Sequence, residues 1–261
     1  RVPASYCGVF GFRPTWGRVP LDGVMALAGS YDTAGVFAQD ASHLRTAATA
    51  LLGRARRAVA PAETIVVPED VWALADPHAG AALMLAVERT GMRAEHVDLA
   101  GSSGGLETWA DAFRTIQGAE AWATYGEWVS RRRPSFGPGI AARFEAASRV
   151  TPEAVRKALP VRARAAERVR SLTEGHRTLV IPSACGVAPL LAADTTARRD
   201  VRERTLRMTC IAGHAGAPVA SLPLATLGGF PLGLSLIGAP GEDEEVLDLA
   251  VAMCRTGDIL S

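Results

Sequence analysis

The stretch Arg1-Val-Pro-Ala-Ser-Tyr-Cys-Gly-Val-Phe-Gly-Phe-Arg-Pro-Thr-Trp-Gly-Arg18 decides how the rest of the chain is read. Within it, Val9–Phe12 is apolar and lies between Gly8 and the turn residues Arg13-Pro14, the pattern of a short buried strand. A second strand is expected at Gly35–Ala38, after the loop Ser30–Thr33. Asp40 then reads as an N-cap, and Leu44, Ala47, Ala48, Leu51 and Leu52 recur at helical spacing until Gly53 ends the run. Thr64–Val67 is a β-branched strand closed by Pro68, and Thr178–Ile181 is another stopped by Pro182.

Helical patterns cover about 77–90, 106–131, 138–149, 152–174 and 200–213, and Pro160 inside the fourth predicts a kink or a break there. Val219–Leu222 and Leu232–Ile237 are strands whose loop contains Gly228-Gly229, the signal of a hairpin. Glu242–Arg255 is a closing helix with acids in its first turn, where they complement the helix dipole. Strands mixed with helices at this spacing predict an α/β fold.

Composition narrows the function classes. The chain has 261 residues, 48% apolar and 21% charged, enough to bury a sizeable core as an ordinary globular enzyme does. Its 28 basic and 27 acidic residues leave a net charge of +1, so no global field favours nucleic acid or an anionic membrane surface. No apolar run approaches the roughly 18 residues of a membrane span, and no signal-peptide pattern opens the chain. Cys7, Cys185, Cys210 and Cys254 are widely spaced without a C-x-x-C, which predicts reduced, buried thiols in a cytoplasmic protein. The histidines, His43, His78, His96, His176 and His214, show no metal-ligand spacing, so no metal site is expected.

The opening block resembles the segment that follows the nucleophile of amidase signature hydrolases, written Gly-Gly-Ser-X-Arg-[Ile/Val]-Pro-Ala. Three later segments match the same family in order. Ser30-Tyr-Asp-Thr-Ala-Gly35 resembles Ser-Leu-Asp-Thr-Val-Gly, and Leu179-Val-Ile-Pro-Ser183 resembles a late strand ending Ile-Pro-Thr. Ala217–Pro223 and Phe230–Gly238 resemble the terminal Gly-Leu-Pro-X-Gly-Leu-Gln-X-Ile-Gly block. Arg1–Gly8 and Glu127-Trp-Val-Ser with Pro134–Gly139 are most similar to the short, indole-3-acetamide hydrolase-type amidases.

The resemblance implies hydrolysis of a small, arylacetamide-type carboxamide to a carboxylic acid and ammonia by a Ser–cis-Ser–Lys triad, without a cofactor. The aligned nucleophile falls two residues before Arg1, and the other two members lie further upstream. The resemblance thus implies that residues 1–261 form the C-terminal two-thirds of a single amidase domain, a mixed β-sheet flanked by helices that is incomplete at its N-terminal side and lacks the triad. Arg1, Asp32 and Thr33 are the residues expected to support the active site, with Arg1 buttressing the nucleophile loop through a carboxylate. Exposed strand edges would then be covered by a complementing N-terminal segment or by homo-oligomerisation. A non-catalytic remnant or split-enzyme subunit is the alternative.

Several residues imitate catalytic groups. Gly101-Ser-Ser-Gly-Gly105 looks like the family's serine loop but follows the opening block, where the family order puts it before; it reads as a solvated loop. Lys157, the sole lysine, sits with Arg156, Arg162, Arg164, Arg168 and Arg170 on what reads as a solvated helix face. His214, between glycines, reads as a polar residue near a helix end, and Cys7 as a small buried side chain.

Overall fold

The computed structural model describes residues 1–53, 62, 64–101, 105–192 and 194–255. The strands are β1 (Phe10–Arg13), β2 (Val36–Ala38), β3 (Thr64–Pro68), β4 (Arg93–Val97), β5 (Arg177–Pro182), β6 (Val219–Leu227) and β7 (Phe230–Ile237). They form one seven-stranded sheet in the order β2-β1-β6-β7-β5-β3-β4. Its β4 and β3 run parallel to β5, while β7, β6, β1 and β2 add antiparallel steps. The expected mixed sheet flanked by helices is therefore the fold found.

The helices are α1 (Val2–Cys7), α2 (Ala41–Leu52), α3 (Glu69–Trp72), α4 (Pro77–Glu88), α5 (Gly105–Arg132), α6 (Pro138–Ser148), α7 (Pro152–Thr173), α8 (Thr195–Ala215) and α9 (Asp243–Arg255). Successive strand residues point to opposite faces of a sheet, and each face here carries its own core. Ile65, Val67, Val180, Leu222, Leu234 and Leu236 meet Leu44 and Leu52 of α2, Leu83 of α4 and Leu247 of α9. On the other face Val66, Leu179, Ile181, Val219 and Ile237 meet Trp109 of α5, Val169 of α7 and Ile211 of α8.

Local signals set the element ends. The Asp40 carboxylate accepts the His43 N–H and caps α2 as expected. Gly228 and Gly229, both at positive φ, close the β6–β7 hairpin between the paired residues Leu227 and Phe230. The break expected at Pro160 is absent, because α7 runs unbroken through it with the exposed ring on the solvent side. The cost of one missing N–H is met by an apolar stripe through Ala158, Ala165, Val169 and Leu172.

The ends of the sequence are tied together by charge. Arg18 reaches Asp243 at 2.9 Å and Glu244 at 2.5 Å, and both carboxylates are almost wholly buried at the head of α9. Thr15 adds its N–H and hydroxyl to Asp243 at 2.8 and 2.7 Å. The hydrogen bond to Glu244 raises the Arg18 pKa above that of an ordinary arginine.

Candidate functional site

α1 is short, starts at Val2-Pro3 and ends where Gly8 takes φ 65, donating its N–H back to Ser5. It lies tightly on the sheet. A Cβ on Gly233 of β7 would stand 2.6 Å from the Ser5 Cβ, and one on Gly11 of β1 would stand 2.8 Å from the Ala4 Cβ. The Ser5 hydroxyl accepts the Gly233 N–H at 2.8 Å. Beneath the head of α1 lie three buried hydroxyls that the sequence did not single out. Ser183 bonds Ser221 at 2.8 Å and Ser235 at 2.7 Å, and Ser221 donates to the Arg1 carbonyl at 3.4 Å.

Beside α1 opens a cavity of about 350 Å³ lined by Arg1, Arg13, Tyr31, Asp32, Thr33 and the start of β2. All three residues expected to support the site, Arg1, Asp32 and Thr33, thus line one space. Their individual contacts differ from the expectation. The Arg1 guanidinium donates to the Thr209 carbonyl of α8 at 2.5 Å, where a carboxylate was expected. The Asp32 carboxylate accepts the N–H groups of Leu27 at 2.7 Å and Ala28 at 2.9 Å, closing the turn that carries it.

Of the other lining residues, none of them a sequence candidate, Arg13 and Tyr31 carry polar groups. Arg13 ends β1 and turns its guanidinium inward, donating to the carbonyls of Ala217 and Tyr31, each at 3.0 Å. Burial first, and the neighbouring charge of Arg1 second, lower the Arg13 pKa to about 9. Burial likewise lowers Arg1 to about 10. A charged residue closing an otherwise apolar strand was the available signal. Tyr31 packs on Phe113 at 4.6 Å between ring centroids and lies under the Arg162 guanidinium at 4.4 Å. Arg162 also donates to the Ser30 hydroxyl at 2.6 Å and the Ser30 carbonyl at 2.9 Å. The solvated face expected for the α7 arginines therefore fails at Arg162, which clamps the loop behind the cavity.

The imitators separate clearly. Lys157 leaves 75% of its side chain exposed and pairs with Glu153 at 2.9 Å, one turn away. His214 is buried near the end of α8, with Nε2 2.8 Å from the Trp109 carbonyl and Nδ1 3.5 Å from the Tyr31 hydroxyl. Those partners make it a neutral core histidine with no nucleophile to activate; burial lowers its pKa to about 4. Cys7, expected to be buried, is exposed, because the inward face of α1 is taken by Ala4 and Ser5. Cys185 and Cys210 are buried and all four thiols are free. Within Gly101–Gly105, Ser102, Ser103 and Gly104 lie outside the described residues. Among the described residues no cluster of three metal-ligating side chains occurs, and no helix is long and apolar enough to cross a membrane.

Comparison with known proteins extends the picture beyond this cavity. Amidase 1 of Arabidopsis thaliana is 29% identical over 95% of this chain and 66% of its own length. Amidase 1 of Oryza sativa subsp. japonica is 25% identical over 98% of this chain and 65% of its own. The chain thus spans just under two thirds of the length of these relatives. A solved amidase crystal structure superposes with a TM-score of 0.88 over 98% of this chain and 60% of its own, at 24% identity, which shows the fold. The model of the Amidase family matches residues 1–247, from the head of α1 into α9. With that match running through every strand of the sheet, the chain belongs to the amidase family.

Proposed function

We propose that this chain is the C-terminal two-thirds of an amidase that hydrolyses a small carboxamide to a carboxylic acid and ammonia. The observation that carries the reading is the family match over residues 1–247, with the block Arg1–Gly8 at the head of a helix seated on the sheet and beside a cavity. By resemblance, the nucleophilic serine precedes Arg1 by two residues, so it stands next to that cavity.

In this scheme the serine hydroxyl attacks the amide carbon while its proton passes through the bridging serine to a neutral lysine. The C–N bond then breaks as the proton is delivered to the leaving nitrogen, and water hydrolyses the resulting acyl ester. The reaction balances with water alone, without metal or cofactor. The present chain supplies the sheet under α1, the cavity wall, and Arg1, Asp32 and Thr33 as supports. Indole-3-acetamide and phenylacetamide are the first substrates to try, because the Arg1–Gly8 and 127–139 segments resemble the arylacetamide-type subgroup. Four free cysteines, two of them buried, suit a reducing compartment such as the cytoplasm.

The test expresses the protein with the coding sequence that precedes Arg1 and measures ammonia released from both amides. Turnover that disappears when the serine two residues before Arg1 is changed to alanine is the expected result. Turnover that survives the change refutes the assigned nucleophile. A folded protein with no turnover on any carboxamide favours the non-catalytic reading.

A further inference from the structure

We infer that Ser221 is a positioning residue for amide hydrolysis: at the end of a relay of three buried hydroxyls, it holds the Arg1 carbonyl and with it the head of α1. The inference rests on the amide-hydrolase reading, which puts the nucleophile two residues before Arg1. It adds the group that fixes where that nucleophile stands.

Neighbouring strands build the relay. Ile181 of β5, Val219 of β6 and Ile237 of β7 lie in the core beneath α5, α7 and α8. Two positions along the chain from them, on the same face, stand Ser183, Ser221 and Ser235. Ser221 pairs with Ser235 across the hairpin, and Ser235 with Ile181 on β5. All three serines are at most 2% exposed, and any chain added before Arg1 can only bury them further. Alanine would be as small beneath a closely seated helix, whereas a buried hydroxyl is costly unless it is bonded. The hydroxyls are therefore there to bond.

The bonds also fix the direction of the protons. Ser183 Oγ stands 2.7 Å from Ser235 Oγ and 2.8 Å from Ser221 Oγ, and Ser221 Oγ stands 3.4 Å from the Arg1 carbonyl. Among the described residues, that carbonyl is the acceptor outside the trio that the relay reaches. With each hydroxyl donating once, Ser235 donates to Ser183, Ser183 to Ser221, and Ser221 to Arg1. A hydroxyl that accepts a hydrogen bond donates more strongly, and the last bond, long for a hydroxyl donor, gains most from that order. α1 has six residues, too few to hold its own shape, so contacts with the sheet set its place. The Arg1 carbonyl also closes the first turn, accepting the Ser5 N–H at 2.9 Å. Loosening it moves the serine oxygen that precedes it, and a displacement of ~1 Å can cost about a hundredfold in rate.

The complete protein, expressed with the coding sequence that precedes Arg1, is assayed for ammonia release from phenylacetamide and indole-3-acetamide. In parallel, a fluorophosphonate labels the nucleophile: the serine oxygen bonds to phosphorus as fluoride leaves with the hydroxyl proton. Ser221→Ala is expected to lower kcat and the labelling rate about tenfold, with KM changed by less than about twofold and circular dichroism unchanged. Ser221→Cys, a weaker donor of similar size, should fall between. Ser183→Ala should cost less than Ser221→Ala, and nothing further in the Ser221→Ala background, because both act through one bond. A merely structural role would lower stability without that coupling in kcat. A loss below about threefold in folded Ser221→Ala, or one carried by KM alone, overturns the inference and leaves the hydrolase reading standing. Additive losses in the double variant overturn it too. Should Ser221→Ala not fold, Ser221→Cys decides by the same limit, and where neither amide is turned over the labelling rate is read instead. A wild type that neither turns over amide nor takes the label defeats the reading itself, and the inference with it.

Discussion

At the scale of single residues, burial decides what a titratable group can do. His214 hydrogen-bonds a backbone carbonyl through one nitrogen and faces Tyr31, Phe113 and, further off, the Arg162 cation. The Trp109 carbonyl favours the imidazolium, but desolvation outweighs it and holds the folded pKa near 4 against 6.5 for an ordinary histidine. The folded state therefore binds fewer protons than the unfolded state between those values, and stability must fall as pH drops from 6.5 toward 4. The full loss attributable to this ring is about 3 kcal/mol. Urea denaturation at a series of pH values should show that slope in the wild type and a shallower one in His214→Gln. Identical slopes would mean that His214 is not the group responsible. The same logic sorts the arginines: Arg162 was legible only as one of a basic run, because the ring that it covers lies 131 positions away in the sequence. Arg13 was hidden for the same reason, since Ala217 and Tyr31 become its neighbours only in the folded sheet.

At the scale of elements, the placement of α1 depends on glycines in strands rather than on the helix itself. Gly233→Ala would drive a Cβ to 2.6 Å from the Ser5 Cβ and 2.9 Å from the Ser5 Cα, contacts that require backbone movement. A loss of about 1–3 kcal/mol in chemical denaturation is expected. Adding Ser5→Gly should recover part of it; no recovery would rule out the clash as the cause.

Elements with an internal pattern were legible before folding was considered. α2 announced itself by the Asp40 cap and its apolar spacing, and the hairpin by Gly228-Gly229. β4 did not, because Arg93–His96 are all exposed on the sheet edge and show no apolar alternation. α1 and α3, six and four residues long, are too short to display a helical period. Of the kink or break expected at Pro160, the break does not occur: the buried stripe of a 22-residue helix carries the chain through it.

At the scale of the whole molecule, one sheet separates two cores, and each strand lends alternate side chains to both. Neither core can be lost without stripping the sheet of half its packing. Unfolding should accordingly be a single transition. Trp109 fluorescence, which reports one face, and far-UV circular dichroism should give coincident urea curves. A background in which Trp16, Trp72, Trp122 and Trp128 are changed to Phe leaves Trp109 as the sole tryptophan and removes Trp72, which packs against the opposite core. Two separated midpoints would show that the faces unfold independently. The cavity belongs to this scale as well. Its Arg1, Arg13 and Asp32 come from the cap of a helix, a strand and a loop, and of these only Arg1 and Asp32 were named from the resemblance.

The pairing of β1 with β6 sets a schedule for how this protein is made. Gly11 pairs with Ser221, so β1 leaves the ribosome about 200 residues before its inner neighbour exists. At roughly 5–20 residues per second that interval is ~10–40 s. Meanwhile Phe10 and Phe12, buried in the finished core, have only β2 and α2 to lean on. Such a nascent chain is a natural client for chaperones, and one whose yield in a cell should depend on translation speed as much as on final stability.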